Sequence, residues 1–461
     1  MRLYLPVFLF VLACSSVSAQ QELMFYQMSD YWHANALNPA FFPQDRNVQI
    51  GLPGFSLDAW NSGDITFDDF LVRQDNGFKL DFSALIDELE PENDFVFDQR
   101  LETVSLGLRL PGNFYVSAAH AVRTHGVVVY PKGLPEILWE GNGALIGQTV
   151  DIAPSTLGFG WQEFRLGLAK TFDRVTVGAR VNFLSGVVAL ETDRGRQRAT
   201  VYTDPDVYQL TLDADYGFWS SALVESIDTA DLGFAFNLVD NVGQTKLFEN
   251  AGASFDLGAE VRLLERLTIS ASILDIGGKL NWEKDTYYFR TNGNYTYEGG
   301  IIDGKDLLNG SDSIDFETDL DTLNDVFAFS RAVQDFSSTL PTRFYAGVNY
   351  QLAEDWAVNA TFFHQNSTLI DQTAVGVGLR WTPLQWLSVG AMYGYNSRSA
   401  ANVGFHLGFK PGPVQLYFAS DNLLTAFQPY ASPQVNLRMG LSLAFGKRDA
   451  GGDAGVPFEE R

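Results

Sequence analysis

One short pattern recurs along this chain: an apolar residue, a glycine, a second apolar residue, a variable residue and usually another apolar one. Its copies read LGLRL from 106, LGLAK from 166, VGARV from 177, LGAEV from 257, AGVNY from 346, VGLRW from 377, VGAMY from 389, VGFHL from 403 and LRMGLSLAF from 437. Apolar residues that return at every second position are typical of β-strands. The sequence therefore predicts an all-β chain with many similar strands.

Each predicted strand has one apolar face and one face with glycine and charge. Between 175 and 183, Val175, Val177, Ala179, Val181 and Phe183 share the first face, and Thr176, Gly178, Arg180 and Asn182 share the second. A soluble β-sandwich shows the same alternation. The lengths of the connections must therefore decide between a sandwich and a membrane barrel.

The connections alternate between short and long. The short links are residues 111–113, 173–174, 264–266, 353–355, 382–385 and 410–413, and the long ones include 279–341, 364–372 and 421–433. Outer-membrane barrels have short periplasmic turns and longer extracellular loops. Six short turns join twelve strands, the strand that ends at Phe445 is the thirteenth, and residues 47–56 are the best candidate for a fourteenth.

The sequence thus predicts a closed antiparallel transmembrane β-barrel of about fourteen strands, within a range of twelve to sixteen. Sixteen remains open because ATVYT and VYQLTL, on either side of Asp204-Pro205-Asp206, could form one more hairpin within residues 184–254. Single-chain bacterial barrels have an even number of strands.

The first 19 residues have the features of an export signal. Arg2 precedes an apolar run, and Val17-Ser18-Ala19 provides small residues for cleavage. The alternative is a lipoprotein box that ends at Cys14, the only cysteine. If Cys14 is removed with residues 1–19, the mature chain has no disulfide and no cysteine metal site. Export to the outer membrane of a Gram-negative bacterium is expected.

The remaining composition argues against several function classes. A net charge of −25 disfavours binding to nucleic acid, whose phosphates require a basic surface. The five histidines show no metal-ligand spacing; they are His33, His120, His125, His364 and His406. The sequence also contains no GxSxG motif of a serine hydrolase. We therefore expect no enzyme, no cofactor and no metal, although a catalytic set assembled across strands would not be visible in the sequence.

Several polar residues fall on the predicted lumen face: Arg109, Arg165, Arg180, Glu260, Arg262, Asn349, Arg380, His406 and Arg438. Charges inside a barrel need partners, so we expect them to pair with one another or with an inserted segment. Selection of a solute is the alternative. At the C-terminal end, Arg438, Gly440, Leu443 and Phe445 match a barrel-assembly signal, and residues 447–461 are predicted to be a disordered periplasmic tail.

Two stretches between strands are predicted to form short helices in extracellular loops. Residues 82–89 read FSALIDEL, and the acidic insertion 303–325 leads into a helical stripe formed by Leu320, Leu323, Val326 and Phe327. Carboxylates could also bind calcium, but no EF-hand spacing is present, which favours a solvated surface.

Residues 20–46 show no alternation and contain Asn38-Pro39-Ala40. This motif resembles the N-terminal plug motif of the long-chain fatty acid transporter (FadL-type) outer-membrane proteins. The stretch NALNPAFFPQDRNVQIGLPGFSLDAWNSGDITFDDFL is also similar to a family of uncharacterised Bacteroidetes outer-membrane barrels. The resemblance implies a plugged fourteen-stranded barrel that passes hydrophobic molecules. A glycine commonly follows the motif in those transporters, whereas Phe41-Phe42-Pro43 follows here.

The sequence therefore predicts four parts: a signal peptide (1–19), a plug segment (20–46), an outer-membrane barrel (47–446) and a tail (447–461). The expected function is uptake or passage of a small hydrophobic molecule, with outer-membrane lipid and the barrel-assembly machinery as partners. The alternative is a non-transporting scaffold barrel that docks a protein.

Overall fold

The structure is a computed structural model, and it describes residues 22–61, 66, 71–74, 77–228, 235–238, 246–297, 325–396, 402–423 and 434–447. The predicted signal peptide, nearly all of the acidic insertion and nearly all of the tail lie outside these residues. No helix within the described ranges is long and apolar enough to cross a membrane.

Fourteen antiparallel strands close into a ring. In order around the ring they are β1 (Arg46–Asn61), β4 (Glu92–Leu110), β5 (Phe114–Pro131), β7 (Ser155–Phe172), β8 (Val175–Thr203), β12 (Ala251–Leu264), β13 (Leu267–Trp282), β17 (Thr342–Gln351), β18 (Trp356–Asn366), β19 (Gln372–Leu384), β20 (Leu387–Asn396), β21 (Asn402–Phe409), β22 (Val414–Ser420) and β23 (Gln434–Lys447). The pairing of β1 with β23, in which Val48 lies opposite Phe445, closes the ring. The predicted closed barrel of about fourteen strands is confirmed, and β1 is the strand expected at 47–56.

All six predicted hairpins occur, and three of their turns differ slightly from the predicted bounds. The turn after β12 consists of residues 265–266 and the turn after β17 of residues 352–355. Because β19 continues to Leu384, its turn consists of Gln385 and Trp386 and not of residues 382–385. The six turns, the start of β1 and the end of β23 lie at one end of the barrel, which we call the short-turn end. The opposite end is the long-loop end.

The additional hairpin considered for residues 184–254 exists, but it does not enter the ring. The first part of β8 pairs with β12, and the part beyond Ala189 pairs with β9 (Leu210–Ser221). Strand β9 pairs with β14 (Thr286–Tyr297), and β14 pairs with β15 (Ser330–Val333). These strands form a ribbon at the long-loop end, so that part of the long link 279–341 is also β-structure.

The remaining elements are short. They are β2 (Leu71–Gln74), β3 (Gly77–Leu80), β6 (Thr149–Asp151), β10 (Val224–Asp228), β11 (Ala235–Leu238), β16 (Phe336–Thr339), the helices α1 (Leu23–Tyr26), α2 (Phe82–Glu88) and α3 (Gly133–Trp139), and the 3₁₀ helices Trp32–Ala36 and Gly143–Leu145. Helix α2 lies where the sequence predicts one, and Asp81 caps it by accepting a hydrogen bond from the Ala84 N–H at 3.3 Å.

The two faces of each ring strand differ sharply in exposure. Apolar side chains on the outer face are exposed, for example Val177, Leu257, Val377 and Phe445. Their inward-facing neighbours are buried, for example Thr176, Asp256 and Arg438. A closed ring leaves no strand edge unpaired, and its apolar outer band is the surface that a bilayer requires.

Candidate functional site

The N-terminal part of the described chain runs through the inside of the barrel. We call residues 22–44 the inner segment. It is buried from Glu22 to Met28 and again from Tyr31 to Pro43. Its folding is local: α1 is followed by the 3₁₀ helix Trp32–Ala36, and the side chain of Asn38 accepts a hydrogen bond from the Ala40 N–H at 2.9 Å. This Asx-type turn reverses the chain beside Pro39, which has no N–H to satisfy.

Glycines of the repeated strand pattern provide the room for this segment. A Cβ atom at position 347 would lie 2.8 Å from Cε1 of Tyr26, and one at position 178 would lie 2.8 Å from the Ala40 nitrogen. Both distances are too short for a real side chain. In this way five repeat glycines face the inner segment directly: Gly107, Gly178, Gly258, Gly347 and Gly378. The repeated glycine therefore marks where the segment packs against the wall.

An ion pair and two backbone hydrogen bonds hold the start of the inner segment. The Arg438 guanidinium donates to the Glu22 carboxylate, and both groups are buried. The Asp421 carboxylate accepts hydrogen bonds from the N–H groups of Leu23 at 2.8 Å and Met24 at 2.6 Å. Burial raises the pKa of the Glu22 carboxyl, but the neighbouring arginines, first among them Arg438, outweigh this effect and hold it below its usual range.

Further contacts fix the middle and the end of the inner segment. Arg180 donates to the carbonyls of Asn35 at 2.8 Å and Ala36 at 3.0 Å, and it also pairs with Asp256. At the short-turn end, Asp30 pairs with Lys410 and with Arg380, and Arg109 donates to Gln44 Oε1 at 2.9 Å. Strands from opposite sides of the ring therefore form hydrogen bonds and ion pairs with the same segment.

A charged tier lies above the inner segment, toward the long-loop end. Arg123 bridges Glu163 at 2.6 Å and Asp275 at 3.2 Å, and Arg343 also reaches Asp275 at 2.6 Å. The Arg165 guanidinium bonds Glu102 and lies 3.4 Å from Glu163. Arg100 is 3.9 Å from Glu163, and its Nη1 has no hydrogen-bond partner among the described protein atoms. Most of these buried charges are paired, as burial requires.

An apolar tier follows the charged tier toward the long-loop end. Large side chains of the wall line it, namely Trp60, Val96, Val127, Leu157, Phe159, Trp161, Leu184, Leu280, Trp282 and Leu340. Leu369 and Ile370, from the loop between β18 and β19, pack against this lining. The Arg123 guanidinium lies 4.6 Å from the centroid of a Trp161 ring and joins the two tiers by a cation–π contact.

The structure separates the residues predicted to line the lumen into four groups. Arg109, Arg180, Arg380, His406 and Arg438 contact the inner segment. Arg165 belongs to the charged tier, and Glu260 and Asn349 line a small cavity beside the inner segment. Arg262 does not join them, because it is exposed at the short-turn end of β12. Of the assembly-signal residues on β23, Gly440 is buried against Tyr417, whereas Phe445 is exposed and Leu443 is half-buried.

Sequence reasoning missed Glu22, Arg100, Arg123, Asp275 and Arg343. Arg343 could have been predicted as a lumen residue, because it lies six residues before Asn349 on β17 and therefore on the same face of the strand. Asp275 was not, because it lies at an irregularity of β13 with a φ of 58°. The neighbouring sequence does not indicate the role of Glu22 either, since its partner Arg438 lies 416 residues away.

The five histidines occupy unrelated places. His33 lies 3.0 Å from the Leu52 carbonyl, and burial lowers its pKa. His125 bonds Asp98 at 2.9 Å, and the other three bond hydroxyl groups: His120 with Thr103, His364 with Thr373 and His406 with Ser388. In the part of the chain that the structure describes, no three His, Cys, Asp or Glu residues are placed to hold a metal ion.

Comparison of the sequence with known families identifies its relatives. The family described as "Family of unknown function (DUF5723)" matches residues 39–421. The chain belongs to this family, and the predicted resemblance to an uncharacterised family is confirmed. No curated protein sequence matches the chain.

Solved structures with a similar fold include hydrocarbon channels and transporters. A mutant of the monoaromatic hydrocarbon channel TodX is 13% identical, with 90% of this chain and 95% of that chain covered and a TM-score of 0.44. The Pseudomonas putida toluene transporter TodX is 12% identical, with 89% and 93% covered and a TM-score of 0.40. A Pseudomonas aeruginosa FadL homologue is 11% identical, with 89% and 90% covered and a TM-score of 0.36.

Proposed function

We propose that this member of the family is a barrel of the Gram-negative outer membrane that takes up a small hydrophobic molecule and that the inner segment plugs its short-turn end. The division into an exported leader (1–19), a plug (20–46), a barrel (47–446) and a tail is part of this proposal. Outer-membrane lipid and the barrel-assembly machinery are its expected partners, and no catalytic step is involved.

The apolar tier is the observation that carries the proposal. Water-filled barrels line their interior with polar groups, whereas this lumen has indole and phenyl rings below its long-loop end. Binding sites for small molecules are mostly apolar concavities with a few polar groups. The apolar tier offers the apolar side chains, and the charged tier beneath it offers the polar groups. Leu369 and Ile370 pack against this lining from the loop between β18 and β19.

The inner segment explains why uptake requires a conformational change. It runs through the lumen between the charged tier and the short-turn end, and it is held by Arg438, Arg180 and Lys410 at three heights. A ligand in the apolar tier cannot leave toward the periplasm while these contacts persist. Release must therefore rearrange the inner segment or by-pass it through the wall.

The proposal is tested with a fluorescent hydrophobic dye, N-phenylnaphthylamine, and purified barrel in lipid nanodiscs. Leu157 and Leu280 are fully buried members of the apolar tier. Replacing both by asparagine keeps their size but makes the lining polar, so dye affinity should fall by about tenfold or more. The control replaces the same two residues by methionine, which stays apolar and should bind like the wild type.

Folding of each variant is checked by its heat-modifiable mobility in gel electrophoresis. If the asparagine and methionine variants fold and bind the dye equally well, the apolar tier is only structural packing. Uptake of a hydrophobic molecule through it would then have no support.

A scaffold that docks a protein is the second candidate function. The observation in its favour is the ribbon at the long-loop end, where β15 pairs with β14 and all four of its residues are exposed. An exposed strand of this kind can pair with a strand from another chain. Stoichiometric co-purification of a partner that is lost in Ala332→Pro, which removes a backbone N–H of β15, would favour the scaffold over transport.

A further inference from the structure

Two polar cavities lie one above the other along β17 and β18. Arg343, Gln365 and Gln372 line the upper cavity, which has a volume of about 40 Å³. Glu260, Asn349, Asn359 and Thr361 line the lower cavity, which has a volume of about 30 Å³. Each is large enough to hold water. On β17, Arg343, Tyr345, Gly347 and Asn349 share one face, because side chains alternate along a strand. The two cavities are therefore sections of one polar strip that is interrupted at Tyr345.

Three aromatic rings in contact with one another form this interruption, and we call them the aromatic stack. Tyr26 of the inner segment stacks on Tyr345 with centroids 5.0 Å apart and an interplanar angle of 6°. Tyr345 meets Phe363 of β18 edge-on, with centroids 4.7 Å apart. All three residues are buried. Two of the rings belong to the wall, but Tyr26 belongs to the inner segment and can move without breaking a strand pairing.

The ring of Tyr26 is held in position from two sides. Gly347 leaves the space that it occupies. Asn38 donates from Nδ2 to the Tyr26 hydroxyl at 3.1 Å and to the Ala271 carbonyl of β13 at 3.2 Å. Asn38 is therefore a positioning residue for Tyr26, which links the Asn-Pro-Ala motif to the aromatic stack.

Residues around each cavity are partly open to solvent. Glu260, Thr268 and Asn349, around the lower cavity, are only half-buried. At the upper cavity the side chain of Asp98 is 36% exposed. The three aromatic rings lie between the two cavities.

Both cavities contain polar atoms without a protein partner. Among the described residues these are Asn359 Nδ2 and Thr361 Oγ1 below the stack and Arg100 Nη1 and Glu22 Oε2 above it. A buried polar atom without a hydrogen bond is costly, whereas water or a polar solute in the cavity satisfies it. The chemistry of both linings therefore suits water and small polar solutes, and an apolar guest would leave these atoms unpaired.

We propose that this strip is a second route through the barrel, for small polar solutes, and that Tyr26 closes it against Tyr345 and Phe363. The route differs from the proposed hydrophobic uptake in the chemistry of its cargo and does not depend on it. Displacement of a single ring joins the two cavities, so the route opens without release of the whole inner segment.

Conductance of the full chain in planar bilayers tests the route with potassium chloride as the probe. Tyr26→Ala should raise the single-channel conductance severalfold, because it removes the one ring of the three that belongs to the inner segment. Phe25→Ala is the matched control. Phe25 is the preceding residue and is equally buried, but it packs on Tyr417 with centroids 4.6 Å apart and lines neither cavity. The control should conduct like the wild type.

Two outcomes would overturn the proposal. If Tyr26→Ala conducts no better than the wild type, the strip is not a route. If Phe25→Ala conducts as well as Tyr26→Ala, loosening of the whole inner segment causes the leak and Tyr26 has no special role. Dye binding in the apolar tier should stay unchanged in both variants, which separates this proposal from that of hydrophobic uptake.

Thiol labelling locates the barrier in a Cys14→Ser background. An impermeant thiol reagent added at the short-turn side should modify Thr361→Cys whether or not Tyr26 is present. It should modify Gln365→Cys, which lies above the stack, only when combined with Tyr26→Ala. Equal labelling of Gln365→Cys with Tyr26 intact would place the barrier elsewhere.

Discussion

The interior of the barrel is occupied in different ways at the two ends of the lumen. At the short-turn end the wall presents glycines such as Gly178 and Gly347, and parts of the inner segment, such as the Tyr26 ring, occupy the space beside them. Toward the long-loop end the wall itself presents the rings, among them Phe159 and Trp161. Side-chain size on one strand face thus decides whether the lumen receives a segment of its own chain or keeps an apolar lining.

The difference also determines which end can change. Side chains rooted in the wall move only if strands move, whereas the inner segment is held by side-chain contacts and hydrogen bonds to its backbone. Many of its residues, such as Leu23 and Trp32, are fully or almost fully buried, and burial of each large apolar side chain contributes about 1.5–3 kcal/mol. The inner segment is therefore held firmly, and it can move without unfolding the barrel.

The largest expected effect is on the filled end. Deletion of residues 22–44 should leave a folded barrel, because the strands close among themselves, and should raise conductance in planar bilayers far above that of the intact chain. Heat-modifiable mobility verifies the fold. A truncated barrel that conducts like the full chain would show that the inner segment does not plug the lumen.

A smaller effect is expected when one anchor of the inner segment is removed. Arg438→Met leaves the Glu22 carboxylate buried without its partner, which should destabilise the docked segment by about 3–5 kcal/mol. The measurement is urea unfolding in lipid vesicles together with protease cleavage of the inner segment. Adding Glu22→Gln should recover much of the loss, since the buried charge is then gone. The same loss in the single and the double variant would mean that the ion pair does not anchor the segment.

The smallest effect concerns a single glycine. Gly178→Ala places a methyl group against the Pro39 and Ala40 backbone and should cost about 1–3 kcal/mol by overpacking. Gly158→Ala, on neighbouring β7, is the control, because its methyl group meets only the Leu190 carbonyl oxygen at 3.9 Å. The difference between their urea midpoints measures the contact. Equal midpoints would show that the inner segment does not require a glycine at position 178.

Much of the fold could be predicted because it follows from local alternation. The period of two assigns every residue of a strand to one face, so Val177 and Thr176 were separated correctly into an exposed outer and a buried inner position. Turn lengths then predicted the strand number. The hairpin at Asp204-Pro205-Asp206 shows what alternation does not predict. Its pattern indicates two strands but not whether β9 pairs within the ring or above it.

The candidate site was predictable only in part. Alternation placed Arg438, Arg180 and Asn349 on the inner face, but their partners depend on which strands and which part of the inner segment meet across the lumen. Glu22 reaches Arg438, and Asn38 reaches Ala271, over separations that no local pattern encodes. The sequence by itself thus determined the barrel, its strand faces and the positions of its glycines, because these follow from backbone geometry. Only the tertiary structure decided that these glycines receive the inner segment and that Tyr26 divides a polar strip, because such contacts arise when the ring closes and brings distant residues together.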